Sequence, residues 1–461
     1  MVFNAYNSCN ATWHPHQWAE RGNDAPPYRS RSASKKLLAK DLRDMAQFKD
    51  IMKSGHPATL LAAFLYFDFS FAVWVLNGAM GPFLTEAFKL SPVQTGLMVS
   101  IPTLAGALMR FPLGVLSQYI GRKNAAILEM SCIIVAMIYG FMFVSSFNDV
   151  LAMGVLLGIA GASFGVALSL GSGWFPEEHK GLAMGIAGAG NSGTVLALLF
   201  APPIANAYGW HTVYAFAAAA MLLPLLVMIF FAKEPPDAEH QSLKEHLACL
   251  WQRDGWVFNL IYIITFGGFI GLATFLPSFF YAEFGVSKVE ASNLTILATL
   301  MGSGIRVVGG YVADRIGGIL ALTIVLLGSA GILLILTATP SLVLTTLLFM
   351  ACFACLGAGN GALFQLVPLR WPNNTAVAGS MIGEIGALGG AILPNAMGFS
   401  KQYTSGFGAG FLFYAAFAVV VCGVLLAVRR SWTSTWVGPW GKARVSPERA
   451  YPMGATMGAA D

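Results

Sequence analysis

Charge is what this sequence has least of. Asp, Glu, Lys and Arg make up 11% of its 461 residues and hydrophobic residues 56%, against about 25% and 45–50% in soluble domains. That balance excludes a water-soluble globular fold, and no nucleic-acid partner is expected. Cysteines are few: six, scattered along the chain. The one CxxC pair, Cys352 and Cys355, lies inside the apolar run LLFMACFACLGAG, where buried thiols behave as small hydrophobes. His14 and His16 have no second ligand pair, so neither a metal nor a cofactor is expected. The first 57 residues are polar, then basic, and lack the apolar core of a signal peptide. No nucleophile–base constellation falls within the apolar segments, so an enzyme is not expected.

What is present is a succession of apolar runs long enough to cross a bilayer, which takes about 20 residues. TLLAAFLYFDFSFAVWVLNGAM (59–80) and ILALTIVLLGSAGILLILTAT (319–339) are among the clearest. Spans are predicted near 58–80, 94–116, 124–146, 150–171, 181–204, 211–232, 257–280, 291–312, 319–338, 341–366, 376–397 and 408–428. Lipid offers no partner for backbone groups, so each must be a helix. One consequence concerns GIAGAGNSGT (185–194), whose Gly188, Gly190 and Gly193 match the dinucleotide spacing G-x-G-x-x-G. That fingerprint needs a strand before it, which a membrane helix excludes.

The expected fold is an all-α membrane protein of about twelve helices in two pseudo-symmetric halves. Its parts are a polar, basic tail over 1–57, a six-helix half over 58–232 and a central loop over 233–256. A second six-helix half over 257–428 and a tail over 429–461 follow. Of the 27 Lys and Arg, 22 fall in segments on one side, and only Lys89, Lys288 and Lys401 on the other. By the positive-inside rule both termini are cytoplasmic, in a plasma or inner membrane. Arg110 and Arg306 fall within spans and are separated by 196 residues. The same offset carries Gly114 onto Gly310, Gly121 onto Gly317, Pro176 onto Pro372, Gly190 onto Gly386 and Gly193 onto Gly389. A constant offset over so long a stretch marks a repeat, the architecture of transporters that rock around a midplane site.

A charge at the bilayer centre costs about 2.5–3.5 kcal/mol on insertion scales, so the two arginines need a purpose. Pairing with carboxylates or helix-end carbonyls is one, but the spans offer few acids, chiefly Asp68, Glu129 and Glu384. Two guanidinia facing one cavity suit a flat oxyanion whose oxygens lie in one plane. The glycines of the fifth span (Gly181, Gly185, Gly188, Gly193) and of the eleventh (Gly379, Gly383, Gly386, Gly389, Gly390) suit close helix packing. Asn191, set among them, must find a partner.

GVLSQYIGRK (114–123) and GYVADRIGG (310–318) resemble the loop motif of the major facilitator superfamily. The second keeps Asp314 and Arg315; the first has Gln118 and Tyr119 instead. With GAGNSG in the fifth span, GEIGALGGAILP in the eleventh and the two arginines, residues 58–430 resemble the nitrate/nitrite porter family of that superfamily. The resemblance implies that Arg110 and Arg306 clamp the anion, with Asn191 as an amide donor. It also implies aromatic partners at Phe164, Tyr262 and Phe266, and signature glycines at Gly188, Gly190, Gly193, Gly386, Gly389 and Gly390. The eleventh span has Ala387 where Asn191 has its counterpart. Inward movement of nitrate against the membrane potential needs a co-moving cation or an exchanged anion. Asp68 is the candidate for proton coupling in nitrate uptake by symport. Nitrate/nitrite exchange, an organic-phosphate or small-carboxylate antiporter and a non-transporting anion sensor stay open. The glycine-narrowed site and the lack of an intramembrane lysine speak against the larger cargoes. The expected partners are the anion, a proton and the bilayer, around a functional monomer.

Overall fold

Some membrane helices start where the sequence offers a side-chain cap, as at Ser91 and Ser146, and some stop where it offers a glycine, as at Gly121 and Gly317. In the computed structural model, which describes residues 54–236, 251–338, 340–372 and 375–444, twelve helices are long and apolar enough to cross a bilayer. They are α1 Pro57–Trp74, α2 Pro92–Ile120, α3 Arg122–Phe143, α4 Phe147–Ser172, α5 Ala183–Tyr208 and α6 Trp210–Phe231. The second six are α7 Arg253–Phe284, α8 Lys288–Ile316, α9 Gly318–Leu336, α10 Leu342–Arg370, α11 Val377–Thr404 and α12 Gly408–Thr435. Capping boxes open α2 (Ser91 with Gln94) and α4 (Ser146 with Asp149), each satisfying two orphan N–H donors. Gly121 (φ 89°) and Gly317 (φ 102°) turn α2 into α3 and α8 into α9. This positive φ is strained for any residue with a Cβ, which explains the glycine at both copies of the loop motif.

Every predicted span overlaps one of these helices. The helices run further at the basic end: α7 begins at Arg253, α10 ends at Arg370 and α12 at Thr435, because residues at the water boundary continue the helical ladder. The first predicted span does not continue unbroken to residue 80: α1 stops at Trp74, and short helices Leu76–Ala79 and Gly81–Ala87 follow. Most of the expected N-terminal tail (1–53, with His14 and His16), most of the central loop and the end of the C-terminal tail lie outside the described residues.

The two halves seal their basic ends with different residues. Gln118 and Tyr119 supply no ion pair; Tyr119 is 82% exposed. Glu234, after α6, takes over by accepting from the backbone N–H of Arg122 (2.7 Å) and of Lys123 (2.8 Å). A carboxylate there complements the positive end of α3. Arg122 donates to the Ser169 carbonyl of α4. In the second half Arg315 hydrogen-bonds Tyr311 of its own helix, and Asp254 joins α7 to α10 and α12 through Arg370 (2.5 Å) and Trp432 Nε1 (2.7 Å).

At the opposite end the halves touch each other. Lys288 of α8 pairs with Glu86 at 2.6 Å. Ser100 of α2 donates to the Ala391 carbonyl of α11 (3.1 Å) and accepts from Asn395 (2.9 Å). The Val93 N–H donates to Gln402.

Candidate functional site

Arg110 lies deep in α2, 3% exposed. Its Nε donates to the Gly161 carbonyl at 2.9 Å and its Nη1 to the Gly383 carbonyl of α11 at 2.6 Å. The first acceptor exists because the helix Phe147–Gly161 ends at Ala162, inside α4, and a helix end leaves carbonyls unpaired. Helix-end pairing therefore holds part of Arg110, while its Nη2 is buried without a partner among the described residues. Aromatic faces complete its surroundings: Trp74 at 5.2 Å, Phe164 at 5.3 Å and Phe266 at 5.9 Å from the guanidinium carbon. Trp74 is anchored by its Nε1 on the Pro102 carbonyl at 2.7 Å.

Arg306 enters from α8, half-buried, with Nη1 lacking a partner among the described residues. Tyr262 of α7 brings the two arginines into one site. Its hydroxyl accepts a hydrogen bond from Arg306 and lies within electrostatic reach of both guanidinia. The Tyr262 ring is held on two sides, stacked on Phe266 (4.9 Å, 7°) and edge-on to Phe364 (5.4 Å). Phe364 also faces Arg306, at 5.9 Å. Tyr262 and Phe266, four residues apart, present the same face, and the turn Ile263–Gly267 that carries Phe266 is π-helical, a local widening of the helix.

Two further breaks face this site. α5 passes through a 3₁₀ turn at Ala189–Ser192 and α11 through one at Gly389–Ala391. The α5 turn packs on α1: a Cβ on Gly193 would lie 2.0 Å from the Asp68 carbonyl oxygen and one on Gly190 2.6 Å from Phe67. Asp68 is buried here, accepting from Ser192 Oγ at 2.6 Å and from the Gly193 N–H. The carboxylate thus holds the turn of α5 and not an arginine. Phe67 continues to Phe164 (5.4 Å) and so links this turn to Arg110. Asn191 is buried with its Oδ1 unpartnered among the described residues; no contact joins it to either guanidinium.

The α11 turn packs on α7. A Cβ on Gly389 would meet the Ile263 carbonyl at 2.4 Å, one on Gly386 the Tyr262 ring at 2.2 Å and one on Gly390 Thr103 at 2.5 Å. Close packing, expected of the glycines as a group, does not extend to all of them. Nothing lies within 4 Å of a Cβ on Gly185, and Gly188 would meet only Leu168, at 3.3 Å.

Sequence reasoning did not single out Trp74, Phe364 or Glu384 as site residues. Phe364 stands four residues past the position that the 196-residue offset assigns to Phe164, one helical turn along the same face. Glu384 of α11, 8% exposed, accepts from Ser380 at 3.2 Å and interacts electrostatically with Arg110. A separate groove of about 680 Å³ between α2, α11 and α12, lined by Leu104, Phe399 and Phe413 among others, carries no charged side chain.

The chain is similar in sequence to some membrane carriers and in fold to others. A nitrite extrusion protein of Bacillus subtilis is 29% identical over 363 residues, covering 78% of this chain and 91% of that protein. A probable nitrate/nitrite antiporter, NarK1, of Thermus thermophilus is 29% identical over 375 residues, 74% of this chain and 84% of its own length. A solved bacterial homologue of the human lysosomal transporter Spinster, inward-facing and unoccupied, shares the fold with a TM-score of 0.67 at 18% identity, over 83% of this chain and 99% of that one. The profile of the Major Facilitator Superfamily matches residues 62–394, a stretch that begins in α1, takes in both arginines and ends past the last signature glycine. Twelve membrane helices in two repeated halves around a shared polar centre, matched by that profile over most of their length, place this chain in the Major Facilitator Superfamily of transporters.

Proposed function

We propose that this protein carries nitrate, with nitrite as the alternative cargo, across the cell membrane by alternating access, and that the anion sits between Arg110 and Arg306. The observation that carries the reading is the pair of buried guanidinium nitrogens, one from each half, that lack partners among the described residues, on two arginines that both interact with Tyr262. Buried donors without acceptors are costly, about 1–3 kcal/mol each and more for charged groups. A planar anion with in-plane oxygens relieves both at once. Rings of Phe164, Tyr262, Phe266 and Phe364 would cover its faces. Kinship to proteins named for nitrate and nitrite favours these cargoes over organic phosphates or carboxylates. The basic end is taken as cytoplasmic, on the Lys/Arg bias.

Uptake coupled to a proton is the preferred direction and mode. The second reading, nitrate/nitrite exchange, is favoured by a different observation: an empty site with two positive charges resists reorienting, so it returns most readily with an anion. Asp68 serves in both readings to hold the α5 turn, and Asn191 supplies an amide beside it. Uptake into proteoliposomes, with nitrate outside and an imposed pH gradient, tests the clamp. Arg110→Lys and Arg306→Lys should each lower uptake at least tenfold, since an ammonium cannot reproduce the planar two-nitrogen fork of a guanidinium. Wild-type uptake in both variants refutes the assignment.

A further inference from the structure

We propose that Glu384 is the coupling acid: its carboxylate neutralises Arg110 when the site is empty, and it takes up a proton when the anion displaces it. This rests on the reading of the protein as a nitrate or nitrite carrier and names the group through which a proton would enter its cycle.

The placement is specific. Glu384 follows directly after Gly383, whose carbonyl accepts the Arg110 Nη1 at 2.6 Å, and its carboxylate interacts electrostatically with that guanidinium. It is 8% exposed and holds the Ser380 hydroxyl at 3.2 Å. Arg110 belongs to the first half and Glu384 to the second, so their attraction spans the interface that alternating access must remodel. The groups around it complete the account. α2 offers Arg110 and α7 offers Tyr262, whose hydroxyl also meets Arg306 of α8. α10 and α4 contribute Phe364 against Gly379 and Phe164 against Gly383. Of the other buried acids, Asp68 is engaged by Ser192 and Gly193 and Glu129 of α3 by the Tyr66 hydroxyl.

In the empty site the Glu384 carboxylate cancels one of the two positive charges, which lowers the electrostatic resistance to reorientation. An anion arriving from the outside competes for Arg110. Once displaced, the carboxylate no longer faces the guanidinium and takes a proton from the same aqueous side. The occupied site then carries one added anion and one added proton, with no net change in charge. Facing the inside, the proton leaves, the carboxylate regains Arg110 and the anion is expelled. One proton moves with each anion.

The full chain in proteoliposomes gives the test, with the membrane potential clamped and nitrate and nitrite as probes. At one proton per anion, each pH unit should support about tenfold accumulation. Glu384→Gln should reduce that ratio to about one, while exchange of external nitrate for internal nitrite persists. Glu384→Asp keeps the acid and should keep gradient-driven accumulation, with a displaced pH profile. Gradient-driven accumulation at the wild-type ratio in Glu384→Gln overturns the proposal, as does loss of exchange in a monodisperse Glu384→Gln protein. If Glu384→Gln does not fold, an Asp variant with an unchanged pH profile overturns it. A wild-type protein that exchanges but never accumulates against a gradient refutes symport itself, and one that moves neither anion refutes the carrier reading.

Discussion

Gly386→Ala gives a sharp test of whether Tyr262 must lie where it does. The added methyl would sit 2.2 Å from Cδ1 of the Tyr262 ring, 2.9 Å from Cγ and 3.0 Å from Cβ. Ordinary carbon contact begins near 3.4 Å, so ring or helix must yield by about 1.2 Å (compare the packing distances of about 3.5–4.0 Å). The ring has nowhere to go: it is 1% exposed, stacked on Phe266 and edge-on to Phe364. Overpacking of this kind costs about 1–3 kcal/mol, offset in part by about 1 kcal/mol from the better helix propensity of alanine. Stability should fall modestly, but the hydroxyl that hydrogen-bonds Arg306 would shift by roughly an ångström, and misplacement on that scale costs about 100-fold in a preorganised site. The assay is initial nitrate uptake in proteoliposomes against concentration, beside a thermal-shift measurement, with Gly188→Ala as the control because its methyl meets only the end of Leu168 at 3.3 Å. Gly386→Ala should lose ten- to hundredfold in uptake at limiting nitrate while Gly188→Ala transports normally. Wild-type uptake and affinity in Gly386→Ala would refute the claim that Tyr262 is fixed between the arginines.

Two other perturbations separate roles elsewhere in the bundle. Asp68→Asn keeps an oxygen for Ser192 and the Gly193 N–H, whereas Asp68→Ala leaves both without an acceptor at about 1–3 kcal/mol. The Asn variant should therefore retain gradient-driven uptake and the Ala variant should lose thermal stability; loss of gradient drive with exchange intact in Asp68→Asn would put the coupling proton on Asp68. At the far end, the hydrogen bond from Lys288 and its charge hold the Glu86 carboxyl below its usual 4.5. A depressed pKa contributes stability that is present above 4.5 and is lost as pH falls through the lower folded value. Acidification below pH 4.5 should therefore increase thiol labelling of cysteines introduced beside this contact, and Glu86→Gln should do so at neutral pH. Equal labelling in wild type and variant would show that the pair does not hold the halves together.

The sequence makes the repeat legible because one offset is preserved where backbone geometry demands it. Gly121 and Gly317 must both adopt positive φ, and Arg110 and Arg306 must both reach the centre, so neither pair can drift. The aromatic partners are free to drift. Asn360 stands where the offset would place the partner of Phe164, and the ring that faces Arg306 is Phe364, one turn on. A ring can reach the same space from two successive turns of a helix face, so its position is not recoverable from spacing. Trp74 was hidden for another reason. An aromatic residue in a membrane helix usually packs against its neighbours, and its approach to Arg110 depends on Gly106 and Gly161, where a Cβ would meet its ring at 2.5 Å. Those are contacts between helices far apart in sequence.

The same repeat explains why the chemistry is lopsided. The offset carries the α5 turn onto residues 385–388, just before the α11 turn at Gly389–Ala391, yet the first is latched by Asp68 and Ser192, whose counterparts are Ile264 and Leu388. The second is closed by glycine against backbone, Gly389 on Ile263 and Gly267. An apolar contact between bends can separate and re-form without leaving a charge unpaired, whereas a carboxylate that accepts two hydrogen bonds strongly resists separation. The α5 bend is therefore the fixed one, and the α7–α11 contact is the one suited to rearrange as the halves move. Glu384 rides on that second bend, and its counterpart in the first half is Gly188. Of the buried acids Asp68, Glu129 and Glu384, Glu384 is the one that interacts with Arg110, from the half able to change its contacts. A carrier coupled through Glu384 would have one place to hold a proton in each cycle, and its stoichiometry would be one and not two.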